Sequence, residues 1–254
     1  MDKVRELFSL EGLRIVVTGA SSGLGLNEAI MLAECGAKVY ALSRTGEPKV
    51  EIQNDLPDTL IFGRLDVTKE AEVEEKLKEI GEQGGIDVLV NNAGITMRKP
   101  AQEVTSEEWQ KIHGVNVNGV FFCCKHAFPY LSKSKHIGRI INISSMASYL
   151  GFSEILPYVS SKSSVIGITR GLAVEWRNDN ILVNSVSPGW FPSEMSQQVM
   201  DDDRKEKILG KIPLGRFGKP EELSAMICFL ASPAATYING QDFAVDGGAL
   251  AFGY

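Results

Sequence analysis

The sequence has little of what disulfide-bonded domains and metal centres are built from. It contains 4 cysteines and 3 histidines among 254 residues. Neither set has the spacing of metal ligands, and the adjacent pair Cys123 and Cys124 is poorly placed to bridge a scaffold. We therefore expect reduced cysteines and no bound metal.

An excess of positive charge is also missing. Lys and Arg number 26 against 32 Asp and Glu, which gives a net charge of -6. That sign is wrong for binding a phosphate backbone, so nucleic acid is not an expected partner.

Long apolar runs are absent as well. Residues 1–12 carry acidic residues and no apolar core, and the LRIVV run that follows is too short for a signal peptide or a membrane span. We therefore expect a cytoplasmic protein without a membrane partner.

What the sequence does contain is an alternation of β-branched apolar runs with helical patterns. This alternation predicts βαβ units, and the nearly unbroken hydrophobicity of the runs fits strands buried on both faces. At this length we expect one α/β domain over 1–254, a doubly wound parallel sheet with helices on both faces. The seven predicted strands are Leu13–Thr18, Lys38–Ser43, Leu60–Leu65, Ile86–Asn91, Gly138–Ser144, Ile181–Val186 and Gln241–Val245.

Helix ends carry recognisable signals. Gly36 is expected to stop the first long helix, Thr105 and Glu108 have the spacing of a capping box, and Pro220 suits a first helical turn. Residues 192–218 interrupt the alternation of strands and helices because they are polar and contain no predicted strand. A long connection of this kind predicts a substrate lid, with a solvated surface helix as the alternative.

The first chemical motif is a glycine-rich turn after the first predicted strand, from Thr18 to Gly25. Glycines allow a tight turn and close approach to a pyrophosphate, whose charge suits the N–H groups at a helix N-terminus. The spacing is TGxxxGxG, and a strand-to-helix turn that needs glycine only for its backbone is the alternative.

A second cluster, Asn91–Gly94, follows the fourth predicted strand. Ligands of open α/β sheets bind at the carboxyl ends of strands. Asn amides can satisfy exposed backbone there, and Ala93 and Gly94 permit close approach of a flat ring, although a plain turn explains the same residues.

Hydroxyl, amine and amide groups make up the third feature. Tyr158 and Lys162 share one face of a predicted helix, and a nearby ammonium favours the phenolate of a tyrosine. Ser144 and Ser145 end the fifth predicted strand, where a serine can hydrogen-bond a substrate oxygen. Asn116 stands at the start of a helical run, where a simple cap is the alternative.

Taken together, these residues resemble those of the short-chain dehydrogenase/reductase family over the whole chain. The matching positions are Thr18–Gly25, Asp66, Asn91–Gly94, Asn116, Ser145, Tyr158, Lys162, Asn184, Ser187–Gly189 and Val245–Gly248. The resemblance implies a Rossmann-type fold, a homotetramer, and hydride transfer between a nicotinamide cofactor and a carbinol or carbonyl carbon. It also implies a catalytic tetrad of Asn116, Ser145, Tyr158 and Lys162, with Ser145 preferred over Ser144 because the family's serine stands 13 residues before its tyrosine.

The same resemblance implies where a dinucleotide binds. The implied cofactor contacts are Gly19, Ser21, Ser22, Gly23, Leu24, Gly25, Ser43, Arg44, Asp66, Val67, Asn92, Ala93, Gly94, Tyr158, Lys162, Pro188, Gly189, Phe191 and Ser193. Ser43 occupies the place where the family's NAD enzymes commonly carry an acid, and Arg44 follows it. A hydroxyl and a guanidinium both donate to a 2′-phosphate, which favours NADP over NAD. In the alternative interpretation Arg44 points to solvent or stacks on adenine, and NAD also serves.

Within the family, Asn92–Pro100 and Pro188–Met195 resemble the gluconate 5-dehydrogenase group and related sugar-acid dehydrogenases. The resemblance implies that Arg98 meets a substrate carboxylate, with Ser145 and Tyr158 at the reacting oxygen. A guanidinium fork suits a carboxylate, although Arg98 also fits a solvated loop charge. Trp190 and Ser193 depart from the more usual Tyr and Thr. A ketone reductase and a non-catalytic dinucleotide sensor or scaffold therefore stay open as alternatives.

Overall fold

The structure, a computed structural model, describes residues 2–49, 56–192 and 202–252. Its centre is a parallel sheet of seven strands in the order β3-β2-β1-β4-β5-β6-β7. The strands are β1 Arg14–Thr18, β2 Lys38–Ser43, β3 Leu60–Arg64, β4 Val88–Asn91, β5 Gly138–Ile143, β6 Ile181–Pro188 and β7 Asp242–Val245. The chain forms a single domain, and the predicted Rossmann-type doubly wound sheet is confirmed.

Helices cover both faces of the sheet. They are α1 Asp2–Phe8, α2 Gly23–Glu34, α3 Glu70–Glu82, α4 Ser106–His113, α5 Gly119–Leu131, α6 Leu156–Glu175, α7 Asp202–Leu209 and α8 Pro220–Ala231. Helices α2 and α8 pack with β1, β2 and β5 in one apolar cluster. Helices α3, α5 and α6 pack in a second cluster on the opposite face. Both faces of the sheet are therefore buried against helices, which explains why the strand sequences are apolar almost without interruption.

The predicted helix ends are confirmed. Gly36 follows α2 with a left-handed φ of +97° and donates to the Ala33 carbonyl. Thr105 and Glu108 form both hydrogen bonds of a capping box at α4. Pro220 is the first residue of α8.

Strand ends differ from the prediction by one or two residues. Strand β4 begins at Val88 rather than Ile86, and β6 continues to Pro188 rather than ending at Val186. Pro188 stays in the sheet because β7 pairs with it at Val245. This extension carries the backbone of β6 to the edge where the polar motifs lie.

The strand order reverses between β1 and β4, which are neighbours although two strands separate them along the chain. A crevice forms at such a reversal, outside the carboxyl ends of the strands. The glycine-rich turn follows β1 and the Asn92 cluster follows β4, so the fold brings both motifs to this crevice.

The sequence analysis expects no membrane span, no disulfide bond and no metal site, and the structure bears on these three features only in the residues that it describes. Within the described residues, no helix is long and apolar enough to cross a bilayer. The four thiols are all free. In the same described part, no three His, Cys, Asp or Glu side chains are grouped as metal ligands.

The predicted lid is described only in part. Within 192–218, the structure describes Pro192 and residues 202–218, which include α7. Residues 193–201, and with them Ser193, lie outside the described residues. The lid therefore stays a prediction.

Candidate active site

The glycine-rich turn joins β1 to α2 by close backbone packing. Gly19 has a φ of +70°, and a Cβ there would lie 2.7 Å from the Ala93 Cα. A Cβ on Gly25 would lie 2.1 Å from the Nδ2 atom of Asn92. Gly23 differs, because its φ is +59° but no described atom lies within 4 Å of the Cβ position. Gly19 and Gly25 thus permit packing inside the protein, whereas Gly23 leaves the outer side of the turn open to a ligand.

Ser22 occupies the N-cap of α2 and its side chain makes no capping hydrogen bond. The N–H groups of the first turn of a helix have no partner within the helix and favour an anion. This turn can therefore hold a pyrophosphate without the loss of an existing side-chain cap.

Asn92 and Thr18 bind the two crevice loops to each other. The Asn92 Nδ2 donates to the carbonyls of Thr18 and Gly19 at 3.0 and 3.2 Å. The Thr18 Oγ1 accepts from the backbone N–H groups of Asn92 and Ala93 at 3.2 and 3.1 Å. The expectation that an Asn amide satisfies exposed backbone here is met, and the plain-turn interpretation of the Asn92 cluster is insufficient.

Asn116 is fully buried within a π-helical turn, 114–118, between α4 and α5. Its Nδ2 donates to the Ile95 carbonyl and to the Ser161 Oγ, both at 2.9 Å, and its Oδ1 accepts from the Ile95 N–H at 2.9 Å. Asn116 is therefore not a simple helix cap. It ties the loop after β4 to α6.

The two serines after β5 point in different directions. The Ser144 Oγ donates to the Lys162 carbonyl at 3.1 Å and lies 2.7 Å from the Ser148 Oγ, so its hydroxyl is used inside the protein. The Ser145 Oγ accepts from the Ala147 N–H at 3.1 Å and hydrogen-bonds the Tyr158 side chain. The contact with Tyr158 supports the choice of Ser145 over Ser144.

Lys162 reaches the same edge from α6. Its Nζ donates to the Ile143 carbonyl at 2.7 Å and lies 5.8 Å from the centre of the Tyr158 ring. A Cβ on Gly94 would lie 3.4 Å from this Nζ and 3.5 Å from the Asn116 Oδ1. Asn116, Ser145, Tyr158 and Lys162 therefore come together beside the small residue that ends the Asn92 cluster.

Burial dominates the electrostatics of Tyr158 and Lys162. Burial raises the pKa of Tyr158, and the hydrogen bond from Ser145 opposes that effect only in part. Burial lowers the pKa of Lys162 to about 8, with the negative charge of Glu28 opposing it. The Lys162 ammonium donates to the Ile143 carbonyl and is not among the causes of the Tyr158 shift, so phenolate stabilisation by Lys162 stays a prediction. Tyr158 is accordingly protonated near neutral pH, the form that donates a proton.

At the other end of the crevice, Ser43 is buried and its Oγ accepts from the Gly46 N–H at 3.1 Å. Arg44 is exposed.

Asp66 accepts hydrogen bonds from the Thr68 hydroxyl and N–H. Partial burial raises the pKa of Asp66, but the Thr68 hydrogen bonds and nearby Lys69 and Arg44 together bring it below its ordinary value. Asp66 is therefore ionised, with the Arg44 guanidinium near enough to act on it. Val67 is buried and packs against Gly119, where a Cβ would lie 2.8 Å from the Val67 Cγ2.

Arg98 forms an ion pair that the sequence does not reveal. Its Nε donates to the Glu154 Oε2 at 2.5 Å, and the Lys99 N–H donates to the Glu154 carbonyl at 2.7 Å. Glu154 has a φ of +67°. Glu154 stands four residues before Tyr158, in the segment that leads into α6. Nothing in the local sequence pattern signals it, because the two residues come from loops after different strands.

The loop after β6 packs against the segment that ends and follows β7. The Gly189 N–H donates to the Val245 carbonyl at 2.9 Å, and a Cβ on Gly189 would lie 2.6 Å from the Asp246 Cα. Phe191 is buried. The rings of Trp190 and Phe152 meet edge to face with centroids 6.3 Å apart. This ring contact thus joins the loop after β6 to the loop that carries Glu154.

Comparisons with known proteins agree with this geometry. The family model described as enoyl-(acyl carrier protein) reductase matches residues 19–249. A 2-dehydro-3-deoxy-D-gluconate 5-dehydrogenase of Dickeya dadantii is 40% identical over 250 residues, which cover 96% of this chain and 98% of that protein. A gluconate 5-dehydrogenase of Gluconobacter oxydans is 36% identical over 255 residues, with 96% of each chain covered. The crystal structure of a gluconate 5-dehydrogenase from Burkholderia cenocepacia, in complex with NADP and tartrate, has a TM-score of 0.89 at 31% identity and covers 98% of this chain and 99% of its own.

Proposed function

The chain belongs to the short-chain dehydrogenase/reductase family, and we propose that it is an NADP-dependent oxidoreductase of sugar acids. The reaction converts a secondary alcohol and a ketone into each other, with gluconate and 5-ketogluconate as the proposed pair. The observation that carries the proposal is the meeting of Ser145, Tyr158, Lys162 and Asn116 at one edge of the sheet. Two relatives that are 40% and 36% identical over nearly the whole chain are sugar-acid dehydrogenases.

We propose the following roles for the tetrad. Tyr158 donates a proton to the carbonyl oxygen during reduction and takes it back during oxidation, and Ser145 binds the same oxygen. Lys162 holds the nicotinamide ribose and replaces the proton of Tyr158 through a water that Asn116 helps to hold. The nicotinamide ring supplies or accepts the hydride when it is bound.

The crevice suits a phosphorylated dinucleotide. The open side of Gly23 and the uncapped N–H groups after Ser22 favour the pyrophosphate. No acidic side chain stands at position 43 to repel a 2′-phosphate, and Arg44 is exposed beside it. Asp66, Val67, Asn92, Ala93, Pro188, Gly189 and Phe191 complete the proposed cofactor contacts, together with the glycine-turn residues, Tyr158, Lys162 and Ser193.

Substrate choice rests on Arg98. We propose that its guanidinium leaves Glu154 and binds the substrate carboxylate. An exposed ion pair contributes about 0 to 1 kcal/mol, so its exchange for a substrate carboxylate costs little. A ketone reductase is the second candidate, because the tetrad acts equally on an uncharged ketone.

We further propose a cytoplasmic homotetramer in which part of 192–218 closes over the substrate. Half-exposed aromatic side chains on α4 and α5, Trp109 and Phe121, support association because subunit contact would cover them. Light scattering at micromolar concentration tests the assembly: a tetramer is expected, and a monomer contradicts it.

The experiment that tests the function is a substrate panel read by the absorbance of the reduced cofactor. It compares gluconate and 5-ketogluconate with the corresponding neutral sugars and with simple ketones, each with NADP(H) and NAD(H). We expect the acids to give the highest kcat/KM. Higher kcat/KM with simple ketones would identify a ketone reductase, and cofactor binding without any turnover would identify a sensor or scaffold.

A further inference from the structure

Asp242 lies on β7, the edge strand of the sheet, and its side chain gathers three hydroxyl groups. Its Oδ1 accepts from the Ser185 Oγ at 2.5 Å. Its Oδ2 accepts from the Ser187 Oγ at 2.7 Å and from the Tyr149 hydroxyl at 2.9 Å. Ser185 and Ser187 are fully buried and stand two residues apart on β6, so both project from one face of the sheet. This carboxyl group is therefore firmly held, although the proposed reaction does not use it.

The Tyr149 hydroxyl connects this carboxyl group with the turn that carries Ser145. Ser145 is the N-cap of a short 3-10 helix, Met146–Ser148, and Tyr149 is its C-cap. The Ser145 Oγ accepts from the Ala147 N–H, and the Tyr149 N–H donates to the Met146 carbonyl, each at 3.1 Å. Ser145 and Tyr149 thus stand at the two ends of a single turn of backbone, so a displacement of one end is passed to the other.

Two different parts of the protein hold this turn. On one side, the Ser148 Oγ lies 2.7 Å from the Ser144 Oγ, and the Ser148 carbonyl accepts from the Ser163 Oγ of α6 at 3.4 Å. On the side of β7, the turn is held by the Tyr149 hydroxyl. The bond to Asp242 therefore fixes the turn relative to the strands, while the serines fix it relative to α6.

Tyr149 depends on its hydroxyl for this role. The side chain is 49% exposed, so packing fixes the ring only in part. Partial burial raises the pKa of Tyr149 to about 12, aided by the hydrogen bond with Asp242 and opposed by the charge of Arg170 on α6. The phenol accordingly keeps its proton, and stays a donor to Asp242, at the pH of an ordinary assay.

We propose that Asp242 and Tyr149 are positioning residues, which act through the turn to hold the Ser145 Oγ where it binds the reacting oxygen of the substrate. This inference deepens the proposed function and rests on it for the role of Ser145. A hydrogen-bond donor that is displaced by about 1 Å loses much of its effect on a transition state. The sequence analysis did not single out either residue.

The first test is the steady-state reduction of 5-ketogluconate by wild type and Tyr149→Phe. Tyr237→Phe is the matched control, because it makes the same change on a fully exposed ring in the segment before β7. We expect Tyr149→Phe to lower kcat roughly five- to thirtyfold while NADPH affinity stays unchanged. Asp242→Ala should lower kcat at least as much, and Tyr237→Phe should keep the wild-type value. A wild-type kcat in Tyr149→Phe would overturn the proposal.

A second comparison separates positioning of Ser145 from general damage to the site. Tyr149→Phe is combined with Ser145→Ala, which removes the hydroxyl that Tyr149 is proposed to position. In this background we expect Tyr149→Phe to change kcat by less than about twofold, because effects that act through one group are not additive. An equal loss with and without the Ser145 hydroxyl would show that Tyr149 does not act through Ser145, and would overturn the proposal.

A third measurement does not depend on turnover. Amide hydrogen exchange is compared between wild type and Tyr149→Phe in the turn and in β5. We expect the N–H groups of Ala147 and Tyr149 to exchange roughly three- to tenfold faster in the variant, while those of β5 keep their rates. Unchanged exchange in the turn would overturn the proposal. Faster exchange in the turn, beside a wild type that turns over none of the proposed substrates, would support the anchor and refute the proposed function.

Discussion

Replacement of Gly25 by alanine tests whether the glycine turn is shaped by contact with Asn92. The added methyl would lie 2.1 Å from the Asn92 Nδ2 and 2.7 Å from the Gly19 carbonyl oxygen. The amide cannot stay in place, so its hydrogen bonds to Thr18 and Gly19 are lost at about 1 kcal/mol each. Overpacking adds about 1 to 3 kcal/mol, while alanine regains up to about 1 kcal/mol of helix propensity.

We therefore expect Gly25→Ala to lower the free energy of unfolding by about 2 to 4 kcal/mol, measured by urea denaturation. NADP affinity, measured by titration calorimetry, should fall about tenfold or more because the N–H groups of the turn shift. Gly167→Ala is the control, since it lies within α6 and a Cβ there meets no described atom within 4 Å. Wild-type stability and wild-type NADP affinity in Gly25→Ala would refute the reasoning.

Three further predictions concern charge. Arg44→Ala should reduce the ratio of kcat/KM with NADP to that with NAD by about tenfold, and an unchanged ratio would show that Arg44 does not meet the 2′-phosphate. Arg98→Ala should lower kcat/KM for a sugar acid about ten- to a hundredfold and leave kcat/KM for a neutral sugar unchanged. Glu154→Ala should raise kcat/KM for the acid. Equal effects of a substitution on both substrates would contradict the role of Arg98. Glu28→Gln should stabilise the protein more at pH 8 than at pH 4.5, by up to about 4 kcal/mol. The reason is that burial raises the pKa of the carboxyl in the folded wild type, while the same carboxyl ionises freely in the unfolded chain. A stabilisation that does not change with pH in urea denaturation would refute this.

Most of the fold could be predicted from the sequence because both faces of the sheet are buried. Every residue of β5 is buried, so the limits of such runs are sharp and the predicted strands agree with the structure to within about two residues. The exceptions are set by pairing rather than by composition. Pro188 looks like a strand breaker, yet it lies in β6 because it pairs with Val245 of β7. This partner is far away in the sequence, so no local pattern indicates the pairing.

The tetrad could be predicted as a set of residues but not as a geometry. The spacing of Tyr158 and Lys162 places them on one helical face, as predicted. No local pattern indicates the π-helical turn at Asn116 or the direction of the Ser144 hydroxyl, because both depend on contacts with Ile95 and Lys162 from distant segments.

Two charged residues of interest were missed by the sequence analysis. Glu154 has no partner within its own loop, and Glu28 lies in a helix whose other inward residues are apolar or small. A glutamate at an inward position of α2 is the signal that could have identified Glu28, since the helical period of Gly25, Ala29 and Leu32 places it on the buried face.

The central claim is that Tyr158 transfers the proton in an NADP-dependent reaction of a sugar acid. Tyr158→Phe removes one hydroxyl at the end of the tetrad and leaves the glycine turn intact, so the direct measurement is 5-ketogluconate reduction by wild type and variant, beside NADPH binding followed by fluorescence. We expect a loss of kcat of about 100- to 10,000-fold with NADPH affinity nearly unchanged. Activity of the variant within a few-fold of the wild type would contradict it.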